Sequence, residues 1–323
     1  MNRNKNHIAI IIPYFGNLPA WIDFFCLSCS YNNSIDWLIF TDSQVKNGTF
    51  KNVIFIPFSL ADFNLIATEK LGFKVNVQNT YKLCDYKPTY GSVFSDYLKS
   101  YEYWGYGDLD VIYGNIMSFI YKDIESNSDI ISMHKDFVPG HFCILKNSIK
   151  IISLFREITH YKKILQSNKY YGLDERIHIL RIITYSWVVG FSKKVKVEYL
   201  ILREKIILFL RELRYKHKHI TPNKTETVIY QSKDFSSLVS TLSSKGDIIV
   251  SVQQFYKCDF SFRKKNITNW NLLWDKGFLQ DSSDKMELMY FHFQLSKERN
   301  DFHTEKPNFV PEHFNITDKG ILV

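Results

Sequence analysis

The apolar residues of this chain fall in short runs separated by turn residues. Residues 7–12 form a β-branched run closed by Pro13 and by the turn formers Gly16 and Asn17, which predicts a buried strand. Pro19 opens a helical pattern that reaches about Ser30. Residues 36–41 and 52–56 read as a second and third strand. Pro57 then leads to a helix over 60–71, with Ser59 as its N-cap and Asp62 in its first turn. Strands and helices alternating at this spacing predict a largely parallel sheet covered on both faces.

The pattern continues after Lys87-Pro88 with a helix expected over 90–101, a strand over 103–110 and a short helix over 116–121. Strands are expected at 129–133 and 142–145, and a helix over 148–165. The segment 193–219 is different in kind. Leu202, Ile206, Phe209 and Leu213 recur at helical spacing among many lysines and arginines, which predicts a basic amphipathic helix. Further strand-like runs lie at 228–231, 247–253 and 287–293, and the tail beyond Lys297 reads as loosely ordered. There is no internal repeat and no low-complexity tract.

Composition narrows this picture without deciding it. At 323 residues, 45% hydrophobic and 23% charged, the chain has the make-up of a globular protein with one large core, or a main domain with an appended subdomain. The net charge of +8 calls for an anionic partner: a nucleotide diphosphate, an acidic lipid surface or nucleic acid. Signatures of helix-turn-helix, zinc-finger or RNA-binding modules are missing, so nucleic acid is not the expected partner. Cys26 and Cys29 form a C-x-x-C without a second pair, inside an apolar helical stretch, and read as buried thiols. Neither a signal peptide nor a run of about 18 apolar residues is present, so a cytoplasmic protein is expected.

The chemistry concentrates in Gly107-Asp108-Leu109-Asp110. Two carboxylates at this spacing, closing a strand between glycines, project to one side at the end of the strand where ligands bind in open α/β sheets. Such hard oxygen ligands suit Mn²⁺ or Mg²⁺, which would neutralise a leaving diphosphate. A D-x-D also arises by chance in many chains; here it follows three predicted β/α elements.

The sequence resembles the GT-A glycosyltransferases, and more narrowly a bacterial group from surface-polysaccharide gene clusters. The residues that carry the resemblance are Ile10-Ile-Ile-Pro-Tyr-Phe-Gly16, Lys82-Leu-Cys-Asp85-Tyr-Lys87-Pro88 and Tyr103-Trp-Gly-Tyr-Gly-Asp-Leu-Asp-Val-Ile-Tyr-Gly114. Val138-Pro-Gly140-His141-Phe and Tyr290-Phe-His292-Phe-Gln-Leu-Ser-Lys297 add to it. It covers residues 7–175 well, is patchy from 176 to 285, and returns near His292.

The resemblance implies a GT-A-like, Rossmann-related mixed α/β sheet flanked by helices, with a C-terminal helical extension. The nucleotide-sugar core would span 1–175, and 176–323 would supply the acceptor side and return to the active site. The implied activity is metal-dependent, hexosyltransferase-type transfer from a nucleoside-diphosphate sugar, UDP-linked by expectation. The acceptor would be a polysaccharide or lipid-linked glycan in O-antigen or capsule synthesis.

In this scheme Asp110 is the principal ligand of the Mn²⁺ or Mg²⁺ ion, Asp108 reaches ribose or metal, and His292 is the third ligand. Lys297 would face the diphosphate. Pro13, Tyr14, Phe15 and Asp42 would contact base and ribose, and Asp85 and Lys87 the donor. His141 lies on a loop that in similar enzymes borders the transferred sugar; Asp174 or Glu175 would act as general base if the enzyme inverts. Each has a plainer counterpart: a core histidine, a strand-end turn at Asp42, surface lysines, and helix N-terminal acids at 174–175. The basic segment 193–219 would touch the inner face of the membrane, or simply be a solvated helix. A nucleotidyltransferase making nucleotide sugars is the rival enzyme class, but residues 13–19 lack the basic, Gly-rich loop it requires. A non-catalytic protein binding membrane or nucleic acid through its basic charge is the other rival.

Overall fold

The first apolar run, Ile-Ala-Ile-Ile-Ile-Pro, forms strand β1 (Ile8–Pro13) in the computed structural model. The structure describes residues 7–45, 48–174, 234–264, 267, 269–305 and 310–323. Successive side chains of β1 enter opposite cores: Ala9 and Ile11 on one face, Ile8, Ile10 and Ile12 on the other. With both faces covered, the strand has no solvent side and hence no polar alternation.

β2 (Ile35–Thr41) and β3 (Val53–Pro57) extend the sheet in parallel on one side of β1, and β4 (Tyr103–Gly107) pairs in parallel on the other. Beyond β4 the chain leaves this sheet as β5 (Val111–Tyr113). It returns as β6 (Ile130–Ser132), β7 (Phe142–Lys146) and β8 (Val250–Val252), giving the order β3-β2-β1-β4-β7-β6-β8. β7 is antiparallel to both β4 and β6, so the sheet is mixed, as expected. The strand order turns back between β1 and β4, which places a crevice beyond their carboxyl ends.

Helices cover the two faces. α1 (Ile22–Ser30) packs Phe25, Cys26 and Cys29 against one face, while α2 (Leu60–Leu71) packs Phe63, Ala67 and Leu71 against the other. The α2 start is as expected: the Ser59 hydroxyl accepts from Asp62 N at 3.1 Å, and Asp62 accepts from Ser59 N at 2.8 Å. Burial pushes the Cys26 thiol up to about 12, with Asp23 adding to the effect, which fits an inert core thiol.

Two smaller sheets complete the architecture. β9 (Tyr256–Cys258) and β13 (Tyr290–His292) join β5 in a three-stranded sheet ordered β5-β13-β9. A six-stranded sheet holds β10 (Asn271–Asp275), β11 (Phe278–Asp281), β12 (Glu287–Leu288), β14 (His303–Thr304), β15 (His313–Thr317) and β16 (Gly320–Leu322). Its residues Leu272, Trp274, Phe314 and Ile316 bury Phe24 and Leu27 of α1.

Three expectations are corrected here. The helix expected over 90–101 is a four-residue turn, Tyr90–Val93, between the 3-10 segments Thr80–Thr89 and Ser95–Tyr97. Gly91 lies against the Trp104 ring, where a Cβ would meet Cε2 at 2.6 Å, so packing on β4 governs this stretch. The helix expected over 148–165 is divided into Ile149–Ser153, the 3-10 turn Leu154–Glu157 and Tyr161–Gln166; Ile158 between them is extended and His160 has a φ of 64°. The tail beyond Lys297 contains β14, β15 and β16. Residues 175–233, with Glu175, the basic segment 193–219 and the strand expected at 228–231, lie outside the described residues. Among the described residues no helix is long and apolar enough to cross a membrane.

Candidate functional site

β4 ends at Gly107, and the chain turns through Asp108-Leu109-Asp110 before entering β5. Two contacts fix this turn: Asp108 N donates to His141 O at 3.1 Å, and Trp21 Nε1 donates to Leu109 O at 2.9 Å. β5 then pairs antiparallel with β13, with Val111 opposite His292, and Phe293 N donates to Asp110 O at 3.1 Å. This register brings a histidine from the end of the chain beside the second carboxylate. Glycine permits the close pairing, because a Cβ on Gly114 would lie 2.3 Å from Leu288 O. Gly105 has the same role inside β4, with Cys143 O at 2.4 Å from the position of its absent Cβ.

The result is a cluster in which one potential ligand atom from each of Asp108, Asp110 and His292 lies within 4.8 Å of the others. His292 Nε2 is 3.2 Å from Asp110 Oδ2, and Lys297 Nζ donates to the same oxygen at 2.7 Å. On the other carboxylate, Lys87 Nζ donates to Asp108 Oδ1 at 2.6 Å and to Gly140 O at 2.7 Å. The His141 ring stacks on His292 at 4.3 Å, and its Nε2 sits 2.8 Å from the Tyr290 hydroxyl.

The electrostatics follow from this geometry. Burial alone would raise the Asp110 carboxyl, but His292 and Lys297 outweigh it and hold it well below the ordinary range. Burial likewise opposes charge on Lys87, yet Asp108, helped by Asp174, keeps its ammonium well above the usual value. His292 and Lys297 are raised in the same way, against their burial, chiefly by Asp110. Two oxygen donors and one imidazole suit a divalent ion of the manganese type, and the ligand atoms are close enough together to share one. Asp108, Asp110 and His292 would hold such an ion.

Asp42 sits at the same end of the sheet, since β1, β2 and β4 run parallel. It accepts from Gly16 N at 2.7 Å, and Ser43 donates to Gly16 O at 2.5 Å, tying the loop after β1 to the loop after β2. Pro13 closes β1, the Tyr14 hydroxyl bonds Asn17 O at 3.3 Å, and Phe15 packs on the α2-side core. Asp174 is buried near Lys87, with the Tyr170 hydroxyl 3.5 Å from its Oδ1.

One expected donor contact is placed differently. Asp85 is wholly buried, and it accepts from Lys82 Nζ at 2.7 Å, Tyr171 N at 2.9 Å and Leu173 N at 2.7 Å. Those bonds make it a clamp on the segment leading to Asp174. Neither Lys82 nor Tyr290 was assigned a role, although both fall in the quoted motifs, because Ile164 O and Lys169 O for Lys82 and His141 for Tyr290 lie far off in the chain.

A family model described as a family of unknown function, DUF6625, matches residues 10–323. The chain belongs to this family. No curated protein matches it in sequence. Solved structures that are similar in part include the galactosyltransferase LgtC in complex with donor and acceptor sugar analogues. That likeness has 10% identity and a TM-score of 0.31, over 54% of this chain and 70% of the other. The glycosyltransferase GlyE of Streptococcus pneumoniae TIGR4 is similar at 12% identity and a TM-score of 0.29, over 79% and 68% of the two chains.

Proposed function

We propose that this protein is a metal-dependent glycosyltransferase that takes its sugar from a nucleoside diphosphate, UDP by preference. The observation that carries this reading is the convergence of Asp108, Asp110 and His292, with Lys297 on one carboxylate and Lys87 on the other. When bound, a divalent ion supplies charge neutralisation for a departing diphosphate. The chain's own groups supply the remainder. Lys297, already paired with a carboxylate oxygen, offers an ammonium to a phosphate oxygen at the mouth of the site. Lys87, held by Gly140 O and by Asp108, presents a fixed positive charge beside the loop that carries His141. The tied loops at 13–17 and 41–43 lie at the same sheet edge and would receive the base and ribose.

In this reading Asp174 or Glu175 is the base that would take the acceptor's proton. Residues 1–175 form the donor-binding core, and 176–323 return His292 and Lys297 to it. The acceptor is proposed to be a glycan or lipid-linked glycan of bacterial surface-polysaccharide synthesis. The protein would act in the cytoplasm, with 193–219 resting on anionic lipid. The nucleotidyltransferase alternative gains nothing from the loop after β1, which bonds to Asp42 and Ser43 and carries no cationic side chain over 13–19.

Calorimetric titration of UDP, GDP, CDP and TDP, each with and without Mn²⁺, tests the proposal. Binding of UDP that requires Mn²⁺, and at least about tenfold weaker binding in Asp110→Asn, is expected. An Asp110→Asn variant that holds metal and nucleotide as tightly as the unaltered protein would overturn it.

A further inference from the structure

Asp259 is a buried carboxylate that the site has not yet used. It follows Cys258, which stands opposite His292 in the parallel pairing of β9 with β13. Its Oδ2 accepts from two consecutive backbone amides, Leu295 N at 2.8 Å and Ser296 N at 2.5 Å. Those amides open the single 3-10 turn Ser296–Glu298, and Lys297 is the middle residue of that turn. The same short stretch is anchored at its other end by Phe293 N on Asp110 O, and Lys297 N donates to Phe293 O at 3.3 Å.

The path from His292 to Lys297 is therefore pinned at two points, one on the metal-binding turn and one on Asp259. A long, flexible lysine reaches a chosen oxygen only if its backbone is fixed, since its own rotamers are many. Asp259 pays a cost for this placement: among the described residues its Oδ1 is buried with no hydrogen-bond partner. An asparagine would offer the same acceptor to both amides, so the turn requires the acceptor oxygen rather than the charge.

We propose that Asp259 is a positioning residue of the donor site, which sets the 293–297 turn so that the Lys297 ammonium stands at the diphosphate position. This rests on the donor-phosphate reading of Lys297 given above. Asp259 is not itself proposed to touch substrate.

The test compares Asp259→Ala, Asp259→Asn and Lys297→Ala, with the double variant Asp259→Ala/Lys297→Ala. UDP binding in the presence of Mn²⁺ and amide hydrogen exchange over 293–298 are read in the full-length protein. Asp259→Ala is expected to weaken UDP about tenfold, and the double variant to be no worse than Lys297→Ala alone. Asp259→Asn should recover the exchange protection of Leu295 and Ser296 and at least part of the UDP affinity. Additive losses in the double variant, or unchanged exchange at Leu295 and Ser296 in Asp259→Ala, would overturn the proposal. Failure of the unaltered protein to bind UDP with Mn²⁺ would instead overturn the donor reading, and the exchange result would still decide whether Asp259 sets the turn.

Discussion

Two buried lysine–aspartate arrangements lie in the same half of this molecule and are built to opposite ends. In the first, Lys82 and Asp85 have side-chain exposures of 1% and 0%. Lys82 Nζ donates to Asp85, Ile164 O and Lys169 O, each at 2.7 Å, and Asp85 takes two backbone amides besides. Each charge is enclosed by protein partners. In the second, Lys297 on Asp110 and Lys87 on Asp108 each leave one member reachable: Lys297 is 28% exposed and Asp108 35%. A closed pair can only hold the fold. An open pair leaves one member reachable to trade its partner for a cation or a phosphate.

Breaking the closed pair should have the largest effect on stability. Lys82→Ala leaves Asp85 buried without its counter-charge, and about 3–5 kcal/mol of unfolding free energy should be lost in urea denaturation. Breaking the open pair should reverse the balance. Lys297→Ala should cost under about 1 kcal/mol of stability, because His292 still faces the Asp110 carboxylate. The same change should weaken UDP with Mn²⁺ about tenfold by calorimetry, or roughly 1.4 kcal/mol. Equal stability losses in the two variants would erase the distinction.

A third arrangement sharpens the comparison with a smaller effect. Lys257 donates to Asp281 and Asp284, each at 2.6 Å, at the edge of the six-stranded sheet. Burial acts to raise the Asp281 carboxyl, but hydrogen bonds from Lys257 and Ser283 outweigh it and lower its pKa. A lowered carboxylate contributes stability that is present above the unfolded value near 3.8 and is lost as pH falls through the folded value. Asp281→Asn should therefore be less stable than the unaltered protein at pH 7, and the gap should close below about pH 4. Thermal unfolding followed across that range checks it; a gap that widened with acid would contradict it.

Much of the first sheet was legible because its leading strands are apolar runs of five to seven residues, buried through nearly all of β1 and β2. Residues 7–12, 36–41 and 52–56 are continuous apolar stretches with clear turn signals, and all three are central parallel strands or their neighbour. The six-stranded sheet was missed because its strands are two to five residues long and alternate weakly, as in Asn271–Asp275. The site was half legible. Asp108 and Asp110 stand two apart at a strand end, so spacing alone pointed to them. His292 and Lys297 came through resemblance, and the structure supplies their physical reason in the β5–β13 register. The partners of Asp85 were not legible, because sequence cannot show that Tyr171 N and Leu173 N claim its oxygens. Asp259 was invisible for the same reason: its partners are 36 and 37 positions away.

The pairing of β5 with β13 has a consequence for how the protein matures. Asp110 and His292 are separated by 182 positions, so the bond between them closes a loop of more than half the chain. Contacts of that span form late and slowly. On the ribosome, the opening strands can dock long before Tyr290 emerges. A nascent chain arrested at residue 285 would carry its first two carboxylates without the histidine or the lysine. Under the proposed function, such a chain would still lack two of the groups that face the donor.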